Sequence, residues 1–297
     1  MITSSALNRR NALKASAALV ATTAVGLTSR LTAADTAANT KGHINHSVCK
    51  WCYPKVTLEE LCQSAKSIGL SSIELLQPSD FPTLKRFGLT CSMVSGPSVK
   101  GIGGINKAFN RVEHHDLLVE AYMGYIDQVA NAGMTNLICF SGNRAGLDDQ
   151  KGLENCALGV KRLMAHAEEK KVTICMELLN SRVDHADYQC DHSAWGIELC
   201  KRIGSERFKL LYDIYHMQIM EGDVIATIRR SHQYFAHYHT GGVPGRNEID
   251  DTQELHYPAI MKAIVETGYK GHVAQEFIPK RADALASLKQ GVQICDV

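Results

Sequence analysis

The chain has 297 residues, 45% of them hydrophobic and 6% aromatic, with 32 Lys and Arg against 31 Asp and Glu for a formal net charge of +1. That length is enough to bury a full core. Scattered basic residues at near-zero net charge give no electrostatic case for nucleic acid or an anionic membrane surface as a partner.

Residues 1–34 read as a targeting segment rather than as part of the fold. Arg9 and Arg10 open it, an Ala/Val/Leu/Thr stretch follows at 15–28, and the small residues of "TAA" close it. This is the order of a charged region, a short apolar region and a cleavage site. The paired arginines before "NALK" resemble the twin-arginine export signal, and the apolar run is too short to span a bilayer. The expectation is a periplasmic protein, exported already folded and with any cofactor loaded; without a working signal the chain stays in the cytoplasm. Residues 35–42 read as a linker and 43–297 as one domain.

An exported protein with ten cysteines invites a disulfide reading, but the placement of these cysteines argues against it. Cys91, Cys139 and Cys175 lie inside apolar runs, where the residue acts as a small hydrophobe. Cys49 and Cys52 form a CxxC with no second pair at zinc-ribbon spacing, so it carries no metal expectation.

From residue 43 the chain alternates between two textures. Short β-branched or apolar runs occur at 43–51, 71–76, 89–96, 135–142, 172–180, 208–216, 234–242 and 272–279. Helical periodicity fills 57–69, 115–133, 151–170, 193–204 and 257–268, several of these ending in the Gly that commonly follows a helix. Eight strand candidates alternating with helices predict a parallel α/β fold. A closed (β/α)8 TIM barrel competes with an open doubly wound sheet. The count of eight favours the barrel. No GxGxxG follows the first strand, and "GIGGIN" at 101–106 lies after the third, so it reads as a loop.

In a barrel the chemistry belongs at the C-terminal strand ends. The last four strand candidates carry Glu177, Asp213, His239 and Glu276 there. An acid ending a buried apolar strand is costly unless its charge is compensated. Each has an ordinary reading alone: Glu177 as a helix cap or ion-pair partner, Asp213 as an N-cap, His239 as a core histidine. Together they suggest one divalent cation. Three carboxylates and one imidazole suit Mn2+, Mg2+ or Co2+ better than structural zinc.

The set "MELLNSR", "YDIYHMQ", "HYHTGGVPGR" and "QEFIPK" resembles the xylose-isomerase-like TIM-barrel superfamily of sugar isomerases and epimerases. "VPGRNEID…ELHYPAIMKAIVETGYKGHVAQEFIP" and "IELLQPSD" are most similar to its hydroxypyruvate isomerase family. The resemblance covers essentially all of 43–297. It implies that Glu177, Asp213, His239 and Glu276 hold the metal, and that His216 and Arg246 contact substrate. His239 follows the related ketose 3-epimerases, whereas some hydroxypyruvate isomerases carry Gln at that position. Val183 stands where the epimerases carry a second Glu.

The chemistry implied is interconversion of an α-hydroxy aldehyde with an α-hydroxy ketone, such as hydroxypyruvate with tartronate semialdehyde. Glu177 and Glu276 would exchange protons with neighbouring carbons while the cation stabilises an enediolate. No D-x-D follows Asp213 to hold the second metal of a hydride shift. The alternatives are a 3-epimerase or dehydratase acting on a sugar or polyol, and a sugar-binding barrel without turnover. The partner is then a small hydroxy-carbonyl acid or sugar, with a homo-oligomer open.

Other residues divide less cleanly. Glu74 either faces the mouth or pairs with a Lys, and Trp51 either stacks on substrate or packs a lid. Asn180 and Arg182 follow Glu177 in a loop that either touches substrate or caps a helix. His237, two residues deeper than His239 on the same strand face, reads as an inner-layer residue. His185, His192, His256 and His272 read as surface or structural.

Overall fold

The computed structural model describes residues 40–297. The expected export signal, residues 1–34, lies outside the described residues. Lys41, in the expected linker, already donates its backbone amide to the Asp296 carboxylate at 3.0 Å.

Seven parallel strands form one sheet in the order β2-β1-β7-β6-β5-β4-β3. They are β1 (Asn45–Cys49), β2 (Ser72–Glu74), β3 (Asn136–Cys139), β4 (Thr173–Glu177), β5 (Phe208–Asp213), β6 (Phe235–Thr240) and β7 (His272–Gln275). The expected third run, 89–96, bridges the two open edges. Thr90 pairs with Ser72, and Val94 pairs with both Leu76 and Leu137. Two side chains replace ladder bonds in this segment: Ser92 N donates to Ser72 Oγ at 2.8 Å, and Asn136 Nδ2 donates to Ser92 O at 2.9 Å. A regular strand is therefore interrupted here, yet the sheet closes into the expected barrel.

Nine helices among the described residues cover the outside: α1 (Leu58–Ile68), α2 (Phe81–Arg86), α3 (His115–Asn131), α4 (Asp149–Lys170), α5 (Ser193–Ile203), α6 (Ile214–Met220), α7 (Val224–Ser231), α8 (Tyr257–Glu266) and α9 (Ala284–Cys295). Local chemistry sets their ends. Thr57 and Glu60 form a reciprocal capping box that starts α1, and Gly69 in the left-handed region (φ 96°) ends it. None of these helices is long and apolar enough to cross a membrane.

The strands end before the apolar runs that predict them, and two of these ends bear on the site. The run 172–180 stops being strand at Glu177, and 208–216 stops at Asp213. Asp213 Oδ1 accepts from His216 N at 3.2 Å, and this N-cap turns the chain into α6. All ten cysteines are buried and free, as expected of core thiols.

Inside the barrel, Met93, Ile138, Cys175 and Leu211 pack as a small apolar plug. Cys175 and Leu211 lie two residues before Glu177 and Asp213, so the plug is the layer directly beneath the strand-end acids. Outside, α5 packs so tightly on the sheet that a Cβ at Gly196 would lie 2.8 Å from Leu210 and 3.3 Å from Leu178. Gly196→Ala should therefore destabilise the protein by about 1–3 kcal/mol through overpacking, measured as a lower urea midpoint at unchanged m-value.

Candidate active site

Glu177 ends β4, Asp213 ends β5, His239 lies near the end of β6 and Glu276 follows β7. A bulge between Leu210 and Leu211 shifts the β5–β6 register so that Asp213 sits beside His239. All four side chains belong to buried residues, and one donor atom from each lies within 4.8 Å of the others.

His239 Nδ1 is 2.9 Å from Glu276 Oε2 and 3.4 Å from Glu177 Oε1. Arg246 Nη2 reaches Glu276 Oε2 at 2.5 Å and Asp213 Oδ2 at 3.3 Å. Trp51 Nε1 donates to Glu276 Oε1 at 2.8 Å. The Arg246 guanidinium lies 5.0 Å from the Trp51 ring and 5.4 Å from that of Tyr215.

The glycines after His239 bring Arg246 to this position. A Cβ at Gly242 would lie 2.3 Å from Glu248 O, so only glycine lets the returning loop approach. Gly242 N donates to Asn247 O, and Arg246 N to Gly242 O, closing the turn.

Three carboxylates share this dry pocket, and their environments differ. Burial pushes the Glu177 and Asp213 carboxyls upward. Burial also acts on Glu276, but His239 and Arg246 outweigh it and hold that carboxyl well below the ordinary range. Burial would lower His239, but the Glu276 carboxylate leads the groups that hold it well above its ordinary value. Glu177 Oε1 is buried and makes no hydrogen bond. An orphaned carboxylate oxygen in an oxygen-rich cluster with one imidazole fits a hard divalent cation. Glu177, Asp213, His239 and Glu276 are the residues that could hold it.

Residues 62–294 match the xylose isomerase-like TIM barrel family. The chain belongs to that family. It is 34% identical over 128 residues to the 2-oxo-tetronate isomerase of Cupriavidus necator, covering 43% of this chain and 47% of that protein. It is 31% identical over 106 residues to the hydroxypyruvate isomerase of Escherichia coli, covering 35% of this chain and 41% of that protein. The chain thus spans less than half the length of each of these relatives. Among solved structures, an AP endonuclease of family 2 from Brucella melitensis superposes with a TM-score of 0.75 at 22% identity, covering 84% of this chain and 98% of that one. That likeness bears on the fold.

A cavity of about 460 Å³ opens above the cluster, with Glu177, Glu276, Arg246 and Trp51 in its wall. Trp51 therefore faces the mouth. The other residues singled out in the sequence spread around it. His216 and Asn180 are fully buried and do not line the cavity. Asn180 N and Nδ2 both lie against His216 Nδ1, at 3.1 and 2.7 Å. Its Oδ1 accepts from the amides of Val183 and Asp184. Asn180 braces His216: with its amide donating, Nδ1 is the acceptor and the ring proton falls on Nε2, 3.6 Å from Asp213 Oδ2. Arg182 is tied to Ile219 O on α6, and Val183 is 68% exposed, outside the cavity.

His185, expected at the surface or in a structural role, instead lines the cavity with its ring 5.3 Å from that of His216. The sequence reading gave no role to Gln77, Ser95, Ser98 or the 101–106 loop, yet Gly103, Gly104 and Ile105 form part of the wall. Their position after the second and third strands was the available signal, since those ends face the mouth.

Arg246→Met would leave the buried Asp213 and Glu276 carboxylates without their cation. In a chelator this variant should lose about 3–5 kcal/mol in denaturant unfolding. A loss below 1 kcal/mol would show that water or protonation already compensates the pair.

Proposed function

We propose that this chain is a divalent-cation-dependent isomerase that interconverts an α-hydroxy aldehyde and an α-hydroxy ketone by proton transfer. Hydroxypyruvate and tartronate semialdehyde are the first pair to test. The observation that carries this reading is the convergence of Glu177, Asp213, His239 and Glu276 at the cavity floor, with Glu177 and Glu276 both in its wall. The family and the names of the two relatives support the reaction class.

When bound, Mn2+, Mg2+ or Co2+ would polarise the substrate carbonyl and stabilise the enediolate. The chain supplies the rest. Glu177 has an oxygen free of hydrogen bonds, whereas Glu276 is held by Trp51, His239 and Arg246. Two carboxyls in such opposed environments suit an acid–base pair, one taking a proton from carbon and the other returning one to its neighbour. Arg246 lines the cavity, and its guanidinium is placed to bind a substrate oxygen. The apolar wall of Leu75, Ile105, Ile138, Phe140 and Leu179 keeps water from the reacting carbons.

One observation favours a second substrate class. A cavity of about 460 Å³ is in the range that takes a whole drug-sized ligand, about 300–1,000 Å³, and a three-carbon acid would leave much of it empty. A larger hydroxy-carbonyl compound, such as a ketose, fills it better. Residues 1–34 would direct the folded chain to the periplasm, where scavenged sugars are met; changing Arg9 and Arg10 to Lys should retain it in the cytoplasm on fractionation.

Turnover of a panel running from hydroxypyruvate through four-carbon keto acids to free ketoses, in deuterated water with Mn2+, tests both readings. Product should carry solvent deuterium; full retention of substrate hydrogen would exclude proton transfer. Glu276→Gln should lower kcat by about 10²–10⁴-fold. The raised Glu177, Asp213 and His239 values mean that a cation must displace protons. Its apparent affinity should then rise with pH, because each proton that the cation displaces is bound less tightly as pH rises. A flat profile in calorimetry would contradict that arrangement.

A further inference from the structure

Glu74 ends β2 and is fully buried inside the barrel, with neither Lys nor Arg as its partner among the described residues. Its Oε2 accepts from His239 Nε2 at 3.2 Å and lies 2.6 Å from His237 Nε2. Ser92 Oγ donates to its Oε1 at 2.9 Å and is itself held by Ser72 Oγ at 2.7 Å and Ser47 Oγ at 3.1 Å. Both carboxylate oxygens are therefore anchored, and the group cannot turn away from His239. Among the described residues, the other group facing His239 Nε2 is the Cys49 thiol, at 3.8 Å, a weak partner.

A neutral imidazole carries one ring proton and can place it on either nitrogen; the acceptor at one nitrogen decides which lone pair the other presents. We propose that Glu74 is a positioning residue that keeps the His239 proton on Nε2, so that Nδ1 presents its lone pair to the cation held by Glu177, Asp213 and Glu276. The proposal rests on the cation reading of that cluster. His237 and Ser92 act one step further out, fixing the carboxylate that fixes the ring. The two histidines of β6 thus have different tasks, although their rings are 5.2 Å apart on one face.

A competing arrangement is available to the same atoms. Cys49 Sγ, Glu74 and His239 Nε2 also lie within 4.8 Å of one another, beneath the ring. Three features favour the upper position. It offers four donors rather than three, and two of its carboxylates, Glu177 and Glu276, reach the cavity whereas Glu74 and Cys49 do not. Burial also keeps the Cys49 thiol protonated and therefore a poor ligand.

The test is Mn2+ binding to the full chain by titration calorimetry, with folding checked by circular dichroism and by unfolding in a chelator. Loss of an outer partner of a ligating histidine weakens metal binding by about 10–100-fold. Glu74→Leu should fall near the upper end. Glu74→Gln, which keeps shape and one acceptor oxygen, should fall near the lower end and protects the test if the Leu variant fails to fold. Both should recover most of their kcat once Mn2+ saturates, a split that mere loosening of the core would not give. Cys49→Ser should bind as the wild type does. Unchanged affinity in a folded Glu74→Gln variant would overturn the proposal alone. So would a loss in Cys49→Ser with binding retained in Glu276→Gln, which would put the cation beneath the ring. Failure of the wild type to bind Mn2+ would overturn the proposal together with the cation reading, and is distinguishable because no variant is needed to see it.

Discussion

Three buried carboxylates stand at the C-terminal ends of β4, β5 and β7, and this shared burial of like charge constrains much of the barrel mouth. An uncompensated buried carboxylate is costly enough that a protein protonates it, pairs it or gives it a cation. Two of the three are visible here, and the residues for the third are in place. Burial drives Glu177 and Asp213 towards protonation, and Arg246 and His239 pair with Glu276. The donor geometry then leaves a position for a divalent cation. The loop from Gly241 to Asn247 belongs to the same solution, because its close approach at Gly242 carries the guanidinium back over the acids.

The barrel builds this cluster by simple alternation. Residues two apart on a strand share a face, so the apolar plug of Cys175 and Leu211 lies one layer below Glu177 and Asp213. On β6 that lower layer is polar, and His237 meets Glu74 instead of extending the plug. The polar exception follows the strand that carries His239. A buried carboxylate there has a cost, which burial alone would express as an upward shift. The facing His237 and His239 imidazoles outweigh it and hold Glu74 well below the ordinary carboxylate range.

Much of this was legible in the sequence, for local reasons. Eight apolar runs separated by helical periodicity give the barrel, and an acid or histidine ending each of the last four runs stands out because such an ending is expensive. Asp213 shows that the ordinary and functional readings need not compete: one oxygen caps α6 while the other faces Arg246 and His216. What sequence could not show depends on distance across the fold. Glu74 precedes its partner His239 by 165 residues, and nothing near either residue encodes the contact. The contact between Asn180 and His216 is of the same kind. His185 and the wall from Ser95 to Ile105 were missed because lining a cavity is a property of assembled loops.

The asymmetry between His237 and His239 follows from position rather than residue type. Both rings are buried, on one strand and one face, yet only His239 stands at the layer where the acids end. Its two nitrogens lie between Glu276 and Glu177 on one side and Glu74 on the other. A ring with a carboxylate at each nitrogen is strongly driven to hold two protons, and a cation bound at Nδ1 would remove the reason for one of them. The proton that remains is the one Glu74 can accept as a hydrogen bond. The outer carboxylate can therefore hold the ring in one orientation whether or not the cluster above it is charged by a cation, which is the condition for a site that loads metal without rearranging the barrel around it.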